Sequence, residues 1–135
     1  MIEPEFLTVE DVLLLHGKQL SMYGGGAGLR DPAGLESAVA QAQASFGGVF
    51  VHQGLFEQAA AYAFHIAQNQ PFVDGNKRTA LAAALVFLEL NGVTIHDPAG
   101  RLYDAMIGLA EHTLDKAGLG RLLAELMSTP SVDED

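Results

Sequence analysis

The 135-residue sequence has no cysteine and no tryptophan, and its 7 lysines and arginines stand against 17 aspartates and glutamates, a formal net charge of −10. Without cysteine there is no disulfide framework, no thiol nucleophile and no thiolate metal site. So few cations exclude a surface that tracks a nucleic-acid backbone, because displacing counterions needs a basic face. The same deficit disfavours adhesion to an anionic membrane. The longest strongly apolar run, Thr79 to Leu90, is too short to span a bilayer. The acidic start, Met1 to Glu5, lacks the charged-then-apolar layout of a secretory signal. What is present is a 49% apolar fraction with only 18% charged residues, enough for one buried core and too apolar for a disordered chain. The expectation is a cytoplasmic single domain over 1–135, with its core at about 9–127 and an acidic tail at 131–135.

Helices punctuated by glycine turns make up the pattern, and the fold class it predicts is all-α, a compact bundle of about six helices. Thr8 and Asp11 have capping-box spacing, and Gly24-Gly25-Gly26 stops the helix that follows at Tyr23. Asp31-Pro32 pairs an N-cap with a first-turn proline and predicts a helix as far as Ser45. Gly47 to Val51 is β-branched and aromatic, which suits an extended piece or a small hairpin flap. A helix is predicted from Leu55 to Gln68, ended by Pro71, and another from Lys77 to Leu90, ended by Asn91-Gly92. Val93 to Ile95 reads as a short extended piece. Asp97-Pro98 repeats the device of Asp31-Pro32, predicting a helix towards His112, and a last helix runs near Leu119 to Met127.

Lys77 and Arg78 are the only adjacent cations, and they stand at a predicted helix start, where the helix dipole favours acids. A basic pair there gains nothing for an exposed helix, whereas it strengthens an anion-binding site. Gly75 lets backbone amides approach a phosphate, and Asn76 can cap the helix and donate to a phosphoryl oxygen. Asp74 suits one Mg²⁺ bridging phosphate oxygens, and Phe72 would pin the loop to the core. The pattern also fits a plain capped helix with a basic pair on a solvated face.

The run Pro71-Phe72-Val73-Asp74-Gly75-Asn76-Lys77-Arg78 resembles the active-site motif of the Fic/Doc family. Asn76-Lys77-Arg78-Thr79-Ala80-Leu81 is similar to the Doc (death-on-curing) branch, which has Lys77 where Fic proteins usually carry a second glycine. His16, Tyr23-Gly24-Gly25, Asp31-Pro32 and Leu88-x-x-Asn91-Gly92 fall in Doc-like order, so the resemblance covers about Val9 to Leu126. It implies a helical fold whose loop binds ATP, with Asp74 holding Mg²⁺ and Gly75, Asn76 and Lys77 lining the phosphate cradle. Arg78 would stabilise phosphate charge. It further implies a toxin, with an antitoxin acting in trans, that phosphorylates a threonine of a translation factor such as elongation factor Tu. Transfer of AMP, as in Fic proteins, is the alternative within the family.

Gln70 departs from that pattern, because the family motif begins with the histidine that takes the proton from the attacking hydroxyl. An amide can orient a hydroxyl but cannot accept its proton near neutral pH. A catalytically dead nucleotide- or partner-binding module therefore stands as a third reading. Among the histidines, His65 faces about 140° away from Gln70 on its helix and reads as a packing residue. His16 reads as a structural hydrogen-bonding histidine, His52 as a surface one, and His96 and His112 as loop or helix-end residues.

Overall fold

Thr8 opens the first helix as its spacing predicts. Its hydroxyl accepts from the Asp11 amide while the Asp11 carboxylate accepts from the Thr8 amide, a complete capping box. The computed structural model describes residues 3–128. In order the elements are α1 (Val9–Tyr23), α2 (Pro32–Ala42), β1 (Ser45–Phe46), β2 (Val49–Phe50), α3 (Leu55–Asn69), α4 (Asn76–Leu90), α5 (Arg101–Ala110) and α6 (Lys116–Glu125). The fold is the expected all-α one, with a single two-stranded hairpin among the described residues. No helix there is long and apolar enough to cross a membrane.

The centre of the bundle is α3, which packs against α2, α4, α5 and α6. Its run of Ala59, Ala60, Ala61 and Ala63 is fully buried. Small side chains all round one helix let four neighbours approach without voids. Gly120 of α6 shows how close that approach is, since a β-carbon there would meet the Phe56 carbonyl at 3.4 Å and Ala60 at 3.7 Å. Tyr62 reaches outward from α3, its hydroxyl accepting from the Leu7 amide and donating to the Leu7 carbonyl. Phe6 follows, stacked on Phe87 of α4 and set edge-on to Phe50 of the hairpin. The segment before α1 is thus part of the core.

Three helix boundaries differ from those the sequence predicts. First, α2 ends at Ala42 rather than Ser45, because Ser45 and Phe46 pair with Phe50 and Val49 around the Gly47-Gly48 turn. Second, α5 begins at Arg101, behind Gly100, and not at Pro98. Asp97 still caps it, accepting from the Arg101 and Leu102 amides from outside the helix. Third, α6 starts at Lys116, because Asp115 accepts from the Gly118 amide as a true N-cap. The extended piece near Val93 is present, with Ile95 bridged to Met127. The acidic tail at 131–135 lies outside the described residues.

His52 is buried rather than on the surface, being 7% exposed. With His65 of α3 it brackets Lys116, whose ammonium donates to His52 Nε2 at 2.9 Å and to His65 Nε2 at 3.0 Å. Both rings must be neutral to accept. Burial and then the Lys116 cation push His65 down to about 4 and lower His52 as well. Burial lowers Lys116 too. Each group binds its proton less readily folded than unfolded, so the unfolded chain takes up more protons and stability falls as pH falls. For His65 the window runs from its ordinary value of 6.5 down to about 4. Discounted for the partial exposure of the site, it is worth about 1–2 kcal/mol. Urea unfolding near neutral pH and at about pH 5 should show roughly half of that loss, the rest coming as pH falls towards 4. Lys116→Met, which removes the cation between the rings, should make the acid dependence shallower.

Candidate active site

Between α3 and α4 the chain makes a six-residue loop, Gln70 to Gly75, whose shape is set by Phe72 and Asn76. The Phe72 ring is fully buried and lies flat against the His16 ring of α1, with centroids 3.8 Å apart. Asn76 accepts from the Phe72 amide and donates to the Phe72 carbonyl, both at 2.9 Å. Its side chain therefore closes the loop on itself and does not cap α4, contrary to the capping role its position in the sequence suggests. His16 donates from Nε2 to the Asp74 carbonyl at 2.8 Å, the structural role expected of it. Alongside runs the segment after α1, with Val73 donating to Gly28 and Arg30 donating to Pro71. Leu29 and Phe72 form the antiparallel bridge between them.

This packing exposes the start of α4. Gly75 precedes it with φ +79°, no side chain caps it, and no acid stands in its first turn. The first helical amide bonded within the helix is that of Thr79, to the Gly75 carbonyl. The amides of Asn76, Lys77 and Arg78 thus have no acceptor within the helix, and two cationic side chains stand on the same turn. The electropositive end of a 15-residue helix with no carboxylate in its first turn has the chemistry that suits an anion. By contrast α1, α2 and α6 carry capping side chains on Thr8, Asp31 and Asp115.

Asp74 sits beside that helix end. Its carboxylate accepts from the Gly26 amide at 3.1 Å and from the Gly75 amide at 2.8 Å. These two amides, followed by the Arg78 cation and His16, hold it below the usual carboxylate value. Gly25 allows the approach, with φ +122° and no room for a β-carbon, which would stand 2.8 Å from Asp74 Oδ2. Among the described residues there is no cluster of three ligands able to hold a metal alone. One ionised, exposed carboxylate still fits Mg²⁺, which commonly takes one or two protein carboxylates and completes its shell with phosphate oxygens and water.

All six residues singled out in the sequence line one cavity of about 530 Å³: Gln70, Asp74, Gly75, Asn76, Lys77 and Arg78. That volume suits a small-molecule ligand. Gln70 ends α3 in a left-handed conformation, φ 45°, and its carbonyl accepts from Arg30 at 2.6 Å. The Arg78 guanidinium lies over the Tyr23 ring, 4.9 Å from its centroid. Sequence reasoning missed the contribution of α5. Tyr103 and His112 both line the cavity, and Tyr103 is 71% exposed. Neither carries a local motif; only the packing of α5 places them there. His65, as expected, lies elsewhere, on Lys116.

The chain matches the family model described as Fic/DOC family over residues 6–88. It is similar to "Protein kinase doc" of Escherichia phage P1, 34% identical over 120 residues, which is 89% of this chain and 94% of that protein. It is also similar to "Toxin Doc" of Mycolicibacterium smegmatis, 44% identical over 91 residues, which is 67% of this chain and 68% of that protein.

Proposed function

The chain belongs to the Fic/Doc family, and we propose that it is a Doc-like toxin that moves the terminal phosphoryl group of ATP to a hydroxyl of a target protein. The observation that carries this reading is the uncapped start of α4, where free amides, Lys77 and Arg78 share one cavity with Asp74. A polyphosphate answers each of those features at once. The kinase name of the phage P1 relative supports phosphoryl rather than AMP transfer.

In this reading the α4 amides and Lys77 seat the phosphate chain, while the Arg78 guanidinium neutralises charge on the phosphoryl group in flight. Asp74 would hold Mg²⁺, which supplies charge neutralisation between phosphate oxygens when bound. The acceptor oxygen bonds to the γ-phosphorus, the bond from that phosphorus to the bridging oxygen breaks, and ADP leaves with the electron pair. A threonine of a translation factor such as elongation factor Tu is the acceptor by family resemblance, and an antitoxin in trans would silence the site. A binding module without catalysis is the second reading, favoured by the amide of Gln70 where the family motif carries histidine.

Radiolabelled ATP separates the possibilities. Incubation of the chain with purified elongation factor Tu should transfer label from the γ-phosphate and none from the α-phosphate. Label arriving from the α-phosphate would establish AMP transfer instead, and no label from either, even in Gln70→His, would leave only binding.

A further inference from the structure

We propose that His112, on the corner between α5 and α6, is the general base of this site, an inference that rests on the phosphoryl-transfer reading above. Something must take the proton of the attacking hydroxyl, and the amide of Gln70 cannot. Among the residues lining the cavity His112 carries the one imidazole. The other rings near the bundle centre are occupied: His16 on the Asp74 carbonyl and the Phe72 ring, His52 and His65 on Lys116. No hydrogen bond or aromatic partner among the described residues engages the His112 ring.

The backbone gives a second, independent reason. Helix α5 ends in a Schellman motif, with Thr113 donating to Gly108 and His112 donating to Leu109. His112 holds the left-handed position of that motif, φ 63°, where glycine is the ordinary occupant. Among the described residues Gln70 and His112 are the two non-glycine residues with positive φ, and both line this cavity. Strained positions of this kind concentrate where a side chain is needed for function. Asp74, Lys77, Arg78 and Tyr103 are the charged and titratable groups that share the cavity with it.

In the step assigned to it, the acceptor hydroxyl gives its proton to an imidazole nitrogen of His112 as its oxygen bonds to the γ-phosphorus. ADP departs with the electrons of the broken bond. Gln70 orients the hydroxyl and does not take part in the proton transfer.

The test uses the full chain, ATP with Mg²⁺, and purified elongation factor Tu as the acceptor. His112→Gly should slow transfer about 10²–10⁴-fold, the usual span for a general base. ATP binding should be unchanged, and the melting temperature should rise because glycine relieves the left-handed corner. Added imidazole should recover part of the rate, and Gln70→His placed on the His112→Gly background should recover most of it. Transfer by His112→Gly at the parent rate would overturn the assignment. So would a loss that neither imidazole nor Gln70→His restores, which would make His112 a structural corner. If the parent transfers nothing while Gln70→His alone does, His112 is not the base and the phosphoryl-transfer reading stands. If both transfer nothing, that reading falls and the assignment with it.

Discussion

Arg78→Ala is expected to lower phosphoryl transfer about 10²–10³-fold, the range seen when one preorganised charge stabiliser is removed from a transition state. The guanidinium is exposed on the first turn of α4, beside the Asp74 carboxylate and over the Tyr23 ring at 4.9 Å. What the fold loses with it is an exposed cation–π contact, about 0.5–1 kcal/mol. The effect on rate should therefore far exceed the effect on stability. Arg78→Lys should fall between the parent and alanine, because a lysine keeps the charge but not the planar fork that meets two phosphoryl oxygens. Initial rates from γ-labelled ATP, with thermal unfolding run in parallel, check both halves. An alanine variant that transfers at the parent rate would take Arg78 away from the phosphates.

Asn76→Ala is expected to have the larger effect on the fold. One side chain satisfies both the amide and the carbonyl of Phe72, in a part-buried loop where neither has another partner to hand. Losing two such bonds at about 1 kcal/mol each should destabilise the chain by about 2 kcal/mol. For a domain of this size that is a fall of roughly 8 °C in melting temperature. Asn76→Asp should do no better, since it keeps the acceptor for the Phe72 amide but sets a second oxygen against the Phe72 carbonyl. ATP affinity should drop in both variants because the loop that aims the α4 amides has lost its brace. Calorimetric unfolding of the three proteins checks this, and equal melting temperatures would mean the loop is held by the Phe72–His16 stack alone.

Much of this geometry was legible in the sequence where the cause is local. The capping box of Thr8 and Asp11, the Asp31-Pro32 start and the glycine stop at Gly24 are short-range devices, and the chain obeys them. The cavity residues from Gln70 to Arg78 are contiguous, so a motif could bring them together on the page as the fold does in space. Asp97-Pro98 misled because a carboxylate four residues upstream can cap a helix that begins at Arg101 as well as one that begins beside it. The inward turn of Asn76 was not readable, since capping and loop closure ask for the same amide. Contacts across the chain left no local trace. Lys116 finds His52 and His65 from 64 and 51 residues away, and His112 reaches the cavity only because α5 packs against α3 and α4.

Whether the start of α4 holds the phosphates of a nucleotide is reported directly by backbone amide resonances. Titrating the uniformly ¹⁵N-labelled chain with ATP and Mg²⁺ should move the amides of Gly75, Asn76, Lys77 and Arg78 most, with those of Gly25 and Gly26 following through Asp74. The same titration of Arg78→Ala should need more nucleotide to reach the same shifts. Saturable shifts centred on another part of the bundle, or none at any nucleotide concentration, would contradict the placement of the site.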